Sequence, residues 1–195
     1  MIIYLVRHGE TTGDLEDRFG GDYDDHLTPH GEQESRELAA KLKGKGIKTI
    51  YCSPKLRALE TATFVAAATK AEIEVINDLR ERNHYGVLTG MVKADAKVKH
   101  PEHLEELKKG IHHNLKGSES YPDFKKRVLK AFAEAVGEGE SPMMILTHGG
   151  VIKCIVREIL KKGEMENLGD CAILTIEKTD KGISLVNLDG AKLEG

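Results

Sequence analysis

Two histidines in this sequence stand at the ends of apolar runs, and each is followed at once by glycine. The run 2–6 (Ile-Ile-Tyr-Leu-Val) gives way to Arg7-His8-Gly9, and the run 143–147 gives way to His148-Gly149-Gly150. A third run, 47–52, leads into Ser53-Pro54, with Arg57 three residues further on. Short apolar runs bounded this way read as buried strands, and in open α/β sheets ligands bind where strands end. Two arginines, two histidines and several glycine or helix-start amides then share one edge. Guanidinium forks match phosphate oxygens, and an imidazole in such a site can itself be the nucleophile. The plain alternatives are a polar strand end meeting water at Arg7-His8 and a solvated Arg57 paired with Glu60. No Gly-x-x-x-x-Gly-Lys-Ser/Thr loop, Cys-x5-Arg loop, paired-aspartate metal pattern or Gly-x-Ser-x-Gly elbow occurs, so nucleotide P-loop and serine or cysteine nucleophile chemistry lack their motifs.

The elements that would position these groups alternate between strand and helix. Residues 12–26 show no period and read as a loop. Thr28-Pro29 reads as a cap followed by a first-turn proline, opening a helix that stops at Gly44 or Gly46. Ser53-Pro54 repeats that signal ahead of a second helix reaching Ala66 and Ala68, with Arg57 near its N-terminus, where helices favour anions. Residues 73–76 read as a short outer strand. The charged segment 93–109 is expected to form helices that cap the strand ends, with a break at 110–117. Ser120 and Asp123 form a variant capping box before a helix with the apolar stripe Phe124, Val128, Leu129, Phe132 and Val136. A helix follows His148-Gly149-Gly150, and runs 171–176 and 183–186 read as a closing antiparallel pair. Alternation of this kind gives a mostly parallel sheet.

Bulk composition is ordinary. The 195 residues carry Lys+Arg 29 against Asp+Glu 32, a net charge of -3, with 39% hydrophobic and 31% charged content. That balance argues against nucleic acid or a membrane surface as partner, and no apolar run approaches the roughly 20 residues of a membrane span. The opening residues lack a signal-like pattern, so the expected location is cytoplasmic. Cys52, Cys154 and Cys171 are expected as buried free thiols. His100 and His103 are poor candidates for a metal, because Pro101 sits between them. Oligomeric state is not readable from the sequence.

Four blocks, in order, resemble the histidine phosphatase superfamily in its phosphoglycerate mutase-like branch. They are Arg7-His8-Gly9-Glu10-Thr11 with Arg18-Phe19-Gly20-Gly21 and Leu27-Thr28-Pro29-His30-Gly31; Ser53-Pro54-Lys55-Leu56-Arg57-Ala58; Leu79-Arg80-Glu81 with Gly86; and Thr147-His148-Gly149-Gly150. The resemblance implies one α/β domain over 1–195. Its form would be a three-layer αβα sandwich around a mostly parallel sheet with one antiparallel edge strand, carrying a small helical cap at about 83–120. It implies that His8 attacks phosphorus and becomes a phosphohistidine. Arg7, Arg57 and His148 would hold the phosphoryl oxygens. Glu81, protonated at the outset, would serve the leaving alcohol and then the acceptor. Gly20, Gly21, Gly149 and position 14 would border the substrate. The family usually has asparagine at the place of Asp14 and often glutamine at that of Gly20; Asp14 is expected to turn away or pair with Arg18. No metal or cofactor is implied.

The resemblance leaves two acceptors for the phosphoryl group. His148-Gly149-Gly150-Val151-Ile152 is similar to the phosphatase form, and the chain is short for a mutase. The stretch from Glu81 to Gly90 is similar to the mutase block, which would give Arg82, Tyr85 and Lys93 substrate contacts, with Lys108 and Lys109 as a faint echo of paired arginines. The expected activity is hydrolysis of a small phosphate ester. The alternative is a phosphoglycerate mutase primed by 2,3-bisphosphoglycerate. A catalytically inactive phosphate-binding or scaffold protein is a third reading, although it would be expected to lack one of the five catalytic groups. A zinc hydrolase using His8 and His148 is a fourth.

Overall fold

A computed structural model of the protein describes residues 1–110 and 114–195. The opening apolar run forms β1 (Ile2–Arg7). Thr11 then caps a four-residue helix, α1 (Thr12–Leu15), inside the stretch that lacks any sequence period. Four residues are too few to show a helical repeat, so this turn is visible only through its capping contacts. Thr28 caps α2 (Pro29–Leu42), accepting from the Gly31 N–H at 2.9 Å, with proline at the first position as expected. Next come β2 (Thr49–Cys52), α3 (Leu56–Thr69) and β3 (Glu72–Val75). The charged segment forms α4 (Lys93–Lys99) and α5 (Pro101–Leu107); the break expected at 110–117 falls partly on residues 111–113, outside the described residues. Ser120 caps α6 (Tyr121–Glu138), which is followed by β4 (Met143–Thr147) and α7 (Gly149–Glu158). The chain closes with two long strands, β5 (Met165–Thr179) and β6 (Gly182–Leu193).

The six strands form one sheet in the order β3-β2-β4-β1-β5-β6. Strands β1 to β4 are parallel, and β5 runs against β1 and pairs antiparallel with β6. The mostly parallel sheet with an antiparallel edge is therefore as expected, and that edge is a hairpin of two strands. Polar residues such as Asn167, Asp170 and Asn187 hide the full length of β5 and β6 from an apolar-run reading; strand pairing supplies what the pattern does not.

Two apolar layers cover the sheet. On one face Leu38 and Leu42 of α2 and Ala58, Ala62 and Val65 of α3 pack on Val6, Ile50, Met144 and Leu146. On the other, Phe124, Val128 and Phe132 of α6 and Val151, Ile155 and Val156 of α7 pack on Ile3, Leu5, Ile145 and Leu174. Central β4, buried along its whole length, is apolar at four of its five positions because both faces are covered. A third small cluster, with Phe19, Leu88, Ala96 and Leu115 at its centre and Tyr85, Leu104 and Leu107 around it, holds the segment above the sheet.

Register places the chemistry. Arg7 lies opposite Thr147, and Cys52 lies opposite Leu146. The residues that step off these three strands next are His8, His148 and Ser53, so all three leave the sheet at one edge.

Candidate active site

His8 and His148 are buried, with ring centroids 5.1 Å apart. His8 Nδ1 lies 2.8 Å from the Gly9 carbonyl. A carbonyl only accepts, so Nδ1 carries the proton and Nε2 keeps its lone pair. The guanidinium of Arg57 reaches both rings, its Nε–H standing 3.3 Å from His8 Nε2 and 3.3 Å from His148 Nδ1. Burial first, then the charges of Arg57 and Arg7, hold His8 well below the ordinary imidazole value, against a smaller upward pull from the Gly9 hydrogen bond. His148 is held down in the same way by burial and Arg57, with His8, Lys55 and Arg7 adding to it. Both rings are thus neutral at pH 7, as a histidine nucleophile requires.

Arg57 is not a solvated surface arginine. It is 4% exposed; its Nη1 pairs with Asp25 at 2.7 Å and also donates to the Tyr23 carbonyl, while Nη2 donates to the Gly21 carbonyl. Glu60 instead receives His26 and the Leu27 N–H. Asp25 carries no motif of its own, and only folding the loop onto α3 brings it to Arg57. Ser53 departs from its expected capping role in a useful way. The N-cap of α3 is Lys55, without a side-chain bond of its own; the Ser53 hydroxyl accepts from the Lys55 N–H at 3.3 Å and sits 2.6 Å from His148 Nε2.

Glu81 stands across from the histidines. One carboxylate oxygen accepts from the Arg82 N–H at 2.7 Å and the other from the Gly150 N–H at 2.9 Å. A side chain at position 150 would place its Cβ 2.3 Å from that carboxylate, which accounts for the second glycine after His148. Gly31 does similar work beneath the site, where a Cβ would come within 2.1 Å of the Glu10 carbonyl oxygen.

Two cavities meet here. A recess of about 120 Å³ contains His8, Arg57, Asp14 and Tyr23. A larger cavity of about 450 Å³ contains Arg82, His84, Tyr85, Tyr121, Lys153 and Arg157. Arg7, Gly20, Gly21, Glu81 and Gly149 border both. The recess has the size of a phosphoryl group, and the larger cavity opens beyond Glu81 where an ester's alcohol would lie. Arg7 donates through Nη1 to the Leu168 carbonyl at 2.7 Å and pairs through Nη2 with Asp170 at 2.9 Å.

The remaining sequence-predicted residues divide. Asp14 turns neither away nor to Arg18; its carboxylate accepts from the Thr11 N–H and hydroxyl at 3.0 and 2.9 Å while still lining the recess. Arg18 pairs with Glu16. The buried Arg82 guanidinium donates to the Glu119 carbonyl and lies over the Tyr121 and Phe124 rings. Lys93 borders neither cavity and pairs with Asp17 at 2.5 Å, while Lys108 and Lys109 pair with Glu105 and Glu106. His84, Tyr121, Lys153, Arg157, Asp25 and Asp170 were not singled out from the sequence; no local pattern marks them. His100, Glu102 and His103 bring their donor atoms within 4.8 Å of one another at the junction of α4 and α5, lining neither cavity. Pro101 turns the chain there and stacks the two rings rather than separating them.

A family model described as histidine phosphatase superfamily (branch 1) matches residues 3–189. The chain belongs to the histidine phosphatase superfamily. A Hydrogenobacter thermophilus protein named "Putative phosphoserine phosphatase 2" is 30% identical over 195 residues, covering 97% of this chain and 91% of that one. The 2,3-bisphosphoglycerate-dependent phosphoglycerate mutase 2 of Gloeobacter violaceus is 30% identical over 165 residues, covering 81% and 75%. The solved structure of Bacillus stearothermophilus YhfR matches with a TM-score of 0.84 at 27% identity, covering 97% of this chain and 96% of that one. Superfamily relatives thus carry phosphatase and phosphoglycerate mutase names, and this member of the superfamily is an enzyme of one kind or the other. Among the described residues, no helix is long and apolar enough to cross a membrane.

Proposed function

We propose that the protein hydrolyses a small phosphate monoester through a phosphohistidine at His8, without a metal or organic cofactor. The observation that carries this reading is the Nδ1 contact to Gly9, which leaves Nε2 of a neutral His8 facing Arg57 in a phosphoryl-sized recess. In the first step Nε2 attacks phosphorus and the P–O ester bond breaks. Glu81, on the wall between the two cavities, gives its proton to the departing alkoxide. Arg57 and Arg7 offer N–H donors to the phosphoryl oxygens as charge spreads over them. His148, whose Nδ1 accepts from the Arg57 Nε–H, holds that arginine beside the phosphoryl group. In the second step the Glu81 carboxylate takes a proton from water, the water oxygen attacks phosphorus, and the P–N bond breaks. Phosphate leaves, and His8 and the protonated Glu81 are restored.

Hydrolysis is favoured over mutase activity by the lysines. Lys93, Lys108 and Lys109, which the mutase reading needs at the substrate, are each tied to an acid at the surface. The test is 3-phosphoglycerate with and without catalytic 2,3-bisphosphoglycerate, following phosphate and 2-phosphoglycerate together with an aryl phosphate control. Phosphate release that is lost in His8→Ala supports the reading. Bisphosphate-dependent isomerisation would make the protein a mutase, and normal turnover by His8→Ala would remove the phosphohistidine.

A further inference from the structure

Strand β5 breaks its ladder beside the site. Leu168 pairs with Ala191 and Ile173 with Asp189, so β5 advances five residues while β6 retreats two. Residues 169–172 are unpaired with β6, a bulge within β5, and there Cys171 adopts φ +52°. A non-glycine residue takes that left-handed conformation at a cost, and such strain collects at functional positions. Bulges likewise re-aim side chains next to active sites. Here three groups of one short segment meet the end of β1. The Leu168 carbonyl accepts from Arg7 Nη1, the Asp170 carboxylate pairs with Arg7 Nη2, and the Cys171 N–H donates to the His8 carbonyl at 3.2 Å. Arg7 Nε and Asp170 Oδ1 are both buried with no hydrogen bond among the described residues, so Asp170 holds Arg7 as an ion partner at 2.9 Å.

We propose that this bulge is a positioning device for the reaction, with Asp170 the residue that aims Arg7 at the phosphoryl group. Holding both terminal nitrogens from the β5 side sets the plane of the guanidinium, which borders both cavities. The Cys171 N–H at the same time fixes the backbone of His8. Burial pushes the Asp170 carboxyl above its ordinary value, Arg7 is the group that pulls it back, and Asp14, Glu34 and Glu10 add to the upward push. An acid kept in such company serves its partner. The segment lies more than 160 residues from Arg7 in sequence, and none of its residues touches the reacting atoms, so its role is positional.

This inference rests on the phosphohistidine reading, and one series of measurements separates the two. Wild-type protein is first assayed for aryl phosphate hydrolysis and for acid-quenched label on histidine; absence of both sinks the reading itself. With both present, Asp170→Ala is expected to lower kcat/KM on the order of 100-fold, the effect of a catalytic group displaced by about 1 Å. The near-isosteric Asp170→Asn keeps an acceptor oxygen but loses the charge, and is expected to lower it on the order of tenfold. Inhibition by vanadate, a mimic of the transferring phosphoryl group, should weaken in parallel, measured per folded molecule with melting temperature as control. Asp170→Asn within about twofold of wild type, or a loss of turnover with vanadate affinity unchanged, would overturn the proposal.

Discussion

Lowering the pH should destabilise this protein through the two histidines that its chemistry keeps neutral. His8 and His148 are held well below the ordinary value of 6.5 mainly by burial. In the unfolded chain both regain that value. Below it the unfolded state binds two protons that the folded state refuses, so stability is lost as pH falls from about 6.5 toward the folded-state values. Between about pH 7.5 and 5.5 each histidine then removes on the order of 1 kcal/mol, and the two together a few kcal/mol. That is a large share of the 5–15 kcal/mol by which domains are typically stable. His84, lowered by burial and by Arg82, acts in the same sense, and the exposed His26, raised by Glu60, in the opposite one, so differences between variants are the quantity to follow. Urea unfolding of wild type, His8→Gln and His148→Gln would be measured across this range in buffers free of phosphate, which would otherwise stabilise the folded state by binding. Each variant should lose a comparable part of the slope, on the order of 1 kcal/mol across the range. Variant curves that run parallel to wild type would show that neither ring resists protonation, and the neutral-nucleophile argument would fall with them.

Two further outcomes follow from the site. Glu81→Gln should lower kcat on alkyl phosphates by roughly 10²- to 10⁴-fold, and by much less on 4-nitrophenyl phosphate, whose leaving group needs no proton; equal losses would deny Glu81 the role of acid. Lys93→Ala removes an exposed pair with Asp17 and should change stability by less than about 1 kcal/mol and kcat/KM by less than about twofold. A large rise in KM for 3-phosphoglycerate would return Lys93 to the substrate and favour the mutase.

Much of the scaffold was legible because its causes are local. A cap followed by proline starts α2 whatever surrounds it, the 3.6-residue stripe of α6 needs only a core to face, and doubly buried β4 announces itself by being apolar nearly throughout. The histidines at the ends of β1 and β4 were legible for the same reason, since a polar residue closing an apolar run marks the edge of a buried layer. Two misreadings are instructive. Ser53-Pro54 has the form of a helix cap, and the hydroxyl does accept from the Lys55 N–H at 3.3 Å, yet its shorter contact is to His148, a partner 95 residues away that no local pattern reveals. Arg57 and Glu60 have the spacing of a helix pair, yet the loop before α2 claims both.

The sequence by itself determined the alternating strands and helices, the parallel core of the sheet, and the edge at which His8, Ser53 and His148 emerge. Periodicity and capping act over a few residues, and strand ends inherit their position from the run before them. Only the tertiary structure decided which charges meet. It buried Arg57 on Asp25, held Glu81 with two backbone N–H groups, and carried Lys93 off to Asp17. It also raised a bulge from β5 to grip Arg7 and His8. Those outcomes depend on which segments lie side by side once the sheet has closed, and on the cost of leaving a buried charge without a partner. Neither is written in any one stretch of the chain.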